Sequence, residues 1–417
     1  MPTAPPIRAA DIAAASERIA PVVRRTPLEF SPRLSASYGA TIYLKREDLQ
    51  VVRSYKLRGA YNVMAQLTDA ERRAGVVCAS AGNHAQGVAY SCRTLEISGR
   101  IYLPRNTPRQ KRDRIRALGA DQVELAFVGN TYDQAAAAAM EYAAQTGATV
   151  VAPFDDPRTM AGQGTVAKEI LEQLDSAPDS IVIPVGGGGL ASGMTVWCRE
   201  QAASTRLIGV EPEGAPSMQA ALASGMPVKL PAPDPFVDGA SVGQVGSAPF
   251  DVLYAGDFEM VDVPEGAVCT HMLDLYQNEG IIAEPAGALS IAALDVIEIR
   301  PGETIVCVIS GGNNDVSRYG EILERSLVHK GLKHYFLVNF SQEPGALRRL
   351  LDAVLGPDDD ITLFEYVKRN NRELGPALVG IELGNADSLP AFLERAAHAP
   401  FEIEILEPGS NAYRYLT

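Results

Sequence analysis

Short β-rich segments alternate with helical segments along the chain from about residue 40 to about residue 310. The segments that predict strands are "TIYLKRE", "GVVCAS", "RIYLP", "DQVELAF", "SIVIP", "LIGVEP" and "ETIVCVIS", and helix-like stretches lie between them. Parallel strands need long crossovers, which helices supply, so the alternation predicts an α/β fold in which helices cover both faces of a parallel sheet.

The pattern changes near residue 320. From "HYFLVNF" onward, the order of predicted elements is βαββαβ, which is the ferredoxin-like split unit of an α+β domain. We therefore expect a first domain over residues 1–325, with a smaller subdomain at roughly 45–150, and a second domain over residues 333–417.

The net charge and the cysteine pattern argue against several kinds of partner and against a structural metal. The net charge of −14 argues against nucleic acid and anionic membranes, because both bind basic surfaces. The five cysteines are scattered and lack metal-ligand spacing, so we expect reduced thiols, a cytoplasmic protein and no structural metal. No apolar stretch approaches the ~20 residues that a membrane-spanning helix needs.

The segment "PVGGGGLASG" carries the most specific single signal. Gly186, Gly187, Gly188 and Gly189 follow a predicted buried strand and precede a helix. Backbone N–H groups in such a loop can bind an anion, and the helix N-terminus adds partial positive charge. The alternative is a flexible turn, but four consecutive glycines would make it entropically costly. No lysine follows as in a nucleotide P-loop, so we expect a different phosphate site.

A second loop of small residues, "SAGNHA", also lies between a strand and a helix. Its N–H groups are suited to a carboxylate, and the side-chain amide of Asn83 is suited to a ring hydroxyl. The alternative is an ordinary helix cap made by Ser80 or Asn83. The residues concerned are Ser80, Ala81, Gly82, Asn83 and His84. We give His84 no catalytic role.

Three further residues are candidates on their own. Lys56 lies between two arginines in "VVRSYKLRGAYN", so it is either part of a cationic turn or an amine held as a nucleophile. Ser310 ends a predicted strand, where α/β sheets place ligand contacts, although it would serve equally as a cap. Glu284 follows an apolar run, so it either forms an ion pair or lines a pocket.

A phosphate site, a lysine amine, a carboxylate loop and a serine at a strand end are what pyridoxal phosphate and an amino acid require. The chain resembles the fold-type II pyridoxal-phosphate enzymes, and within them the biosynthetic threonine dehydratases. The motifs "SYKLRGA", "SAGNHAQGVA", "VGGGGLASG", "EPAGA" and "SGGNND" occur in the order typical of that family. The resemblance implies a three-layer, tryptophan-synthase-β-like catalytic domain and a C-terminal ACT-like regulatory domain.

The resemblance also implies roles for individual residues. Lys56 would form the Schiff base with the cofactor, Asn83 would bond its O3′, and Ser310 would face its pyridine nitrogen. The phosphate would be held by Gly186, Gly187, Gly188, Gly189 and Leu190. Tyr55 and Glu284 complete the expected cofactor site, and the Ser80–His84 loop would bind the substrate carboxylate. The expected partners are L-threonine, with L-serine as a second substrate, isoleucine as an allosteric effector, and further copies of the chain in a homotetramer.

Some positions depart from the family pattern, and other functions remain open. Tyr55 stands where the family usually has phenylalanine. Ser217 stands where related racemases have a carboxylate near Glu211, which argues against a bound divalent cation there. The alternatives are a catabolic serine/threonine dehydratase, a serine racemase-like enzyme, and a non-catalytic sensor of pyridoxal phosphate or amino acids. Loss of Lys56 would have favoured the sensor.

Overall fold

The computed structural model describes residues 7–256, 258–366 and 373–407. Its contacts divide the chain into two compact units between Asp315 and Val316. The first domain was expected to end at residue 325, which lies inside a helix, Tyr319–His329, of the second unit. That helix packs within its own unit, because Val328 lies against Tyr335 and Leu406. The outermost residues of both expected domains, 1–6 and 408–417, lie outside the described residues.

The first unit contains the alternating elements that the sequence predicts. Its strands are β1 (Leu28–Phe30), β2 (Thr41–Arg46), β3 (Val76–Ala79), β4 (Gly99–Leu103), β5 (Val123–Phe127), β6 (Thr149–Val150), β7 (Ser180–Pro184), β8 (Arg206–Pro212), β9 (Glu259–Val263) and β10 (Thr304–Ile309). Its helices are α1 (Ala9–Ile19), α2 (Pro32–Tyr38), α3 (Lys56–Met64), α4 (Asp69–Ala74), α5 (Asn83–Leu95), α6 (Arg109–Gly119), α7 (Tyr132–Thr146), α8 (Pro157–Gln173), α9 (Gly189–Gln201), α10 (Ser217–Ser224), α11 (Ser247–Tyr254), α12 (Glu265–Glu279) and α13 (Pro285–Ala292).

These strands form two sheets. The larger has the order β1-β2-β10-β7-β8-β9, and all of its pairs are parallel except β1 with β2. The smaller has the order β5-β4-β3-β6 and is entirely parallel. The predicted parallel α/β fold is therefore confirmed. Ligand sites in such sheets lie at the carboxyl ends of the strands, which is where the predicted site residues follow β3, β7 and β10.

Buried apolar strands hold the larger sheet against its helices. Ile181 and Ile183 of β7 are fully buried and pack with Val166 of α8 and Met194 of α9. A strand covered on both faces is almost continuously apolar, which explains the run "SIVIP".

The second unit has the predicted βαββαβ order. Its elements are α14 (Tyr319–His329), β11 (Lys333–Ser341), α15 (Ala346–Val354), β12 (Asp360–Tyr366), β13 (Leu374–Glu382), α16 (Leu389–His398) and β14 (Glu402–Ile405). The strands pair antiparallel in the order β12-β13-β11-β14, as in the ferredoxin-like arrangement. Leu350 of α15 and Phe392 of α16 pack on this sheet over Phe336. Within the described ranges of both units, every helix is too short or too polar to cross a bilayer.

Candidate active site

The segment that leads into α3 is bound to the loop that follows β10. The Tyr55 N–H donates to the Ser310 carbonyl at 3.1 Å, and the Gly312 N–H donates to the Arg53 carbonyl at 2.9 Å. The two segments thus form a short antiparallel pairing, with a bridge between Ser54 and Gly311. Because α3 begins at Lys56, these bonds place Lys56 and Ser310 side by side. The buried Ser310 hydroxyl donates to the carbonyl of Ala286 at 3.2 Å.

The Lys56 amine faces the segment Pro153–Phe154. Its Nζ donates to the Pro153 carbonyl at 3.0 Å and lies 5.9 Å from the centre of the Phe154 ring. The centre of the Tyr55 ring lies 5.1 Å from the same nitrogen. Burial lowers the pKa of Lys56 to about 8, against the opposing effect of the Glu284 carboxylate. The neutral, nucleophilic form of this amine is therefore much more populated near neutral pH than in an ordinary lysine.

The glycine run forms the turn between β7 and α9. Within the described part of the chain, the backbone N–H groups of residues 186–190 donate no hydrogen bond to a protein atom. A φ of +91° at Gly188 requires a glycine there. A Cβ at Gly187 would lie 2.2 Å from the Phe154 ring, so the close approach of ring and backbone also excludes a side chain. This loop is a set of unpaired donors at a helix N-terminus, which suits a phosphate.

The segment Pro153–Phe154 joins the amine to the glycine loop. The Pro153 carbonyl accepts from Lys56 and also from Gln163 Nε2, at 3.1 Å, while Phe154 packs on Gly187. Neither Pro153 nor Phe154 belongs to a motif, so the sequence did not single them out. Their position follows from the crossover between β6 and α8, and only the fold reveals it.

Asn83 and Glu284 are hydrogen-bonded to each other beside Lys56. Asn83 Nδ2 donates to Glu284 Oε1 at 2.5 Å, and the Glu284 N–H donates to the Gly311 carbonyl at 3.1 Å. Burial raises the pKa of Glu284 to about 7; the nearby Asp238 adds to this effect, and the Asn83 hydrogen bond opposes it. Of the two alternatives for Glu284, an ion pair or the lining of a pocket, the structure thus favours the lining of the site.

The Ser80–His84 loop begins the turn from β3 to α5. The Ser80 N–H donates to the Tyr102 carbonyl at 3.2 Å, and the Gly82 N–H donates to the Ser80 hydroxyl at 3.2 Å. These two N–H groups are therefore not free, contrary to expectation. The Ser80 N–H extends the pairing of β3 with β4, and the Gly82 N–H is bound by the Ser80 side chain. Among the described residues, the N–H groups of Ala81, Asn83 and His84 have no such acceptor.

His84 is buried, and its Nε2 lies 2.7 Å from the Val151 carbonyl. Burial, together with the charge of Lys56, lowers the pKa of His84 to about 3. The ring is therefore neutral and acts as a packed donor rather than as an acid.

The site fits pyridoxal phosphate by the chemistry of its groups. It offers a partly neutral amine for an aldehyde, unpaired N–H groups for a phosphate, an amide donor for a ring hydroxyl and a serine for a pyridine nitrogen. In addition, the buried atoms Ser54 Oγ, His84 Nδ1 and Gln163 Oε1 have no hydrogen-bond partner among the described residues. Buried polar atoms are normally paired, so unpaired ones clustered around one site are consistent with a polar ligand.

Comparison with known families agrees with this geometry. Residues 19–311 match the family described as "Pyridoxal-phosphate dependent enzyme", and residues 324–416 match the "C-terminal regulatory domain of Threonine dehydratase". The chain belongs to the threonine dehydratase family. It combines a pyridoxal-phosphate-dependent catalytic domain with a regulatory domain.

Relatives of this dehydratase chain match it along its whole length. It is 63% identical over 417 residues to the biosynthetic L-threonine dehydratase of Mycobacterium leprae, covering 100% of this chain and 98% of that one. It is 49% identical to the biosynthetic L-threonine dehydratase of Bacillus subtilis, covering 98% and 97%.

Solved structures resemble the larger part of the dehydratase chain. Processed threonine deaminase isoform 2 of Solanum lycopersicum has a TM-score of 0.72 at 40% identity, covering 76% of this chain and 92% of that one. Maize serine racemase has a TM-score of 0.70 at 29% identity, covering 77% and 98%.

The surroundings of Glu211 concern the divalent cation that related racemases bind and that Ser217 argues against in this chain. The buried Glu211 carboxylate accepts from the N–H groups of Met218 at 2.7 Å and Gln219 at 3.0 Å, at the start of α10. Burial raises the pKa of Glu211 to about 8. No cluster of three or more His, Cys, Asp or Glu side chains suited to a metal occurs among the residues that the structure describes.

Proposed function

We propose that this chain catalyses the β-elimination of L-threonine to 2-oxobutanoate and ammonia, as the first step of isoleucine biosynthesis. The observation that carries the proposal is that the amine of Lys56 and the unpaired N–H groups of the glycine loop meet across one short segment, Pro153–Phe154. The full-length identity to enzymes named for this activity supports the same reaction.

Each site residue has a proposed role. When bound, pyridoxal phosphate withdraws electrons from the α-carbon of the amino acid. Lys56 would hold the cofactor covalently through its Nζ, and the same Nζ, when free, would accept the α-proton of the substrate. The N–H groups from Gly186 to Leu190 bind the phosphate, and Asn83 donates to the ring hydroxyl. Ser310 would face the ring nitrogen and would donate to it the hydroxyl hydrogen that here points to the Ala286 carbonyl. A hydroxyl partner would leave that nitrogen largely unprotonated, which favours prompt elimination.

The loop that follows β3 is proposed to hold the substrate. The free N–H groups of Ala81, Asn83 and His84, with the Ser80 hydroxyl, bind its carboxylate. The ring centres of Tyr55 and Phe154 lie 5.1 Å and 5.9 Å from Nζ, so both rings reduce its contact with water. The atoms balance: loss of water from threonine gives an enamine, and hydrolysis of that enamine returns the water and releases ammonia.

Regulation is proposed to reside in the second unit. Its match to a threonine dehydratase regulatory domain supports feedback inhibition by isoleucine. We further propose a cytoplasmic homotetramer, as the family resemblance implies.

A second candidate is a serine/threonine dehydratase of catabolic type or a serine racemase. The likeness of the first unit to maize serine racemase favours this candidate, and the regulatory unit at residues 324–416 argues against it. A non-catalytic sensor is disfavoured because Lys56 is present and its pKa is lowered to about 8.

The test is a keto-acid assay on purified holoenzyme with L-threonine and with L-serine, each with and without isoleucine. We expect faster turnover of threonine, and inhibition by isoleucine. Lys56→Ala should abolish keto-acid formation, while Lys229→Ala, at an exposed lysine, should leave it unchanged. Equal keto-acid production by Lys56→Ala would refute the mechanism, and D-serine formation would favour the racemase.

A further inference from the structure

We propose that Asn313 is a positioning residue that fixes the orientation of the Asn83 side-chain amide, so that the Asn83 NH₂ group faces the cofactor side of the site. The inference rests on the proposed function, because it assigns the role to a residue that supports a cofactor contact. Asn313 acts through Asn83.

Both hydrogens of the Asn313 amide are used. Its Nδ2 donates to the Val52 carbonyl at 2.8 Å and to Asn83 Oδ1 at 2.7 Å. A backbone carbonyl can only accept, so rotating the Asn313 amide by 180° would bring two oxygens together at Val52. The orientation of Asn313 is therefore set by the main chain rather than by the other side chains of the site.

This fixed donor decides the orientation of Asn83. Because Asn83 Oδ1 accepts from Asn313, its NH₂ group must lie on the opposite side, where one hydrogen bonds Glu284 Oε1 at 2.5 Å. Glu284 alone would not impose this. An ionised carboxylate accepts from an amide, but a protonated one can also donate to it, which would allow the reversed amide. Asn313 excludes the reversed arrangement in both states of Glu284.

The loop after β10 therefore contributes twice to the site. Ser310 lies in it, and Asn313, three residues later, sets the orientation of the Asn83 amide at the start of α5. The same loop is held against the Lys56 segment by the bonds of Gly312 and Ser310. Asn313 thus joins the part of the site that faces a pyridine nitrogen to the part that faces a ring hydroxyl.

The first test replaces the donor by an acceptor of the same shape, Asn313→Asp. Asn83 should then rotate and turn its oxygen toward Glu284 and the cofactor. We expect the affinity of the apoenzyme for pyridoxal phosphate, titrated by absorbance without threonine, to fall about tenfold, the usual effect of one hydrogen bond. Asn278→Asp, which adds the same charge at an exposed position of α12, should bind as the unmodified enzyme does.

The second test separates positioning from simple stabilisation. In the double variant Asn313→Asp/Glu284→Gln, the chain of hydrogen bonds can run in reverse. The amide introduced at position 284 can donate to Asn83 Oδ1, and Asn83 Nδ2 can donate to the carboxylate introduced at position 313. The double variant should regain most of the thermal midpoint of the apoenzyme but not its affinity for the cofactor. Recovery of both quantities together would overturn the proposal, as would unchanged affinity in Asn313→Asp.

If Asn313→Asp does not fold, Asn313→Ala serves instead, because it removes the donor without adding charge. It should weaken cofactor binding several-fold, and unchanged binding would overturn the proposal. The readout is independent of turnover: absence of keto acid from threonine in the unmodified enzyme would refute the proposed function while leaving the cofactor titrations interpretable.

Discussion

The reactivity of Lys56 is expected to depend on pH in a way that sets it apart from an ordinary lysine. Burial lowers its pKa from 10.5 to about 8, and the nearby Glu284 carboxylate limits that fall by favouring the charged amine. Only the neutral amine attacks an aldehyde. The rate at which apoenzyme binds pyridoxal phosphate covalently should therefore rise with pH and level off above pH 8.

The magnitude follows from the fraction of neutral amine. With a pKa of about 8, roughly 9% of the amine is neutral at pH 7 and roughly 91% at pH 9, a tenfold increase. A lysine with an unperturbed pKa would be roughly 0.03% neutral at pH 7 and would gain about a hundredfold over the same range without levelling off. At pH 7 the site thus holds about 300 times more reactive amine than a free lysine.

The assay is stopped-flow absorbance of apoenzyme mixed with cofactor between pH 6 and pH 10.5, with a lysine-containing peptide as the reference amine. Glu284→Gln should move the midpoint to lower pH, because the opposing negative charge is removed. A profile that parallels the peptide, or a midpoint that rises in Glu284→Gln, would refute the reasoning about burial and charge.

Two further predictions concern packing. Gly187→Ala places a Cβ 2.2 Å from the Phe154 ring, so it should lower stability by about 1–3 kcal/mol and weaken cofactor binding. Gly243→Ala has open space around its Cβ and should change neither quantity. Thermal melts and cofactor titrations measure the two effects. Arg58→Met leaves the buried Glu47 without its 2.8 Å partner and should cost about 3–5 kcal/mol in urea unfolding. Arg109→Met removes only an exposed ion pair and should cost less than about 0.5 kcal/mol, so equal losses would contradict the argument.

Periodicity was sufficient to predict most of the fold. β2, β7 and β10 are short apolar runs between helical segments, and the structure places them as neighbours in one parallel sheet. The strands of the smaller sheet all lie within the subdomain expected at roughly 45–150. The strand order within each sheet was not predicted, because it depends on contacts between distant segments. Tyr319–His329 shows the same limit: its amphipathic pattern indicates a helix but not the unit on which that helix packs.

The site was predictable where its residues belong to a sequence motif. Lys56, Asn83, Glu284, Ser310 and the glycine loop are brought together as expected, whereas their roles toward the cofactor remain proposals. The Pro153 carbonyl was missed, because any residue can supply a backbone acceptor. Phe154 was missed, because it belongs to no motif and reaches Gly187 only through the fold. The pairing of Ser80 with Tyr102 was also missed, because it depends on strand register.

The place of β10 in the larger sheet affects how the protein is made. This strand is the last of its sheet in sequence, yet it lies between β2 and β7. A nascent chain on the ribosome therefore carries two unpaired strand edges until residues 304–309 have left the exit tunnel, and such edges attract foreign strands. The loop that holds the Lys56 segment is translated immediately afterwards, so the position of Lys56 is fixed only at that moment.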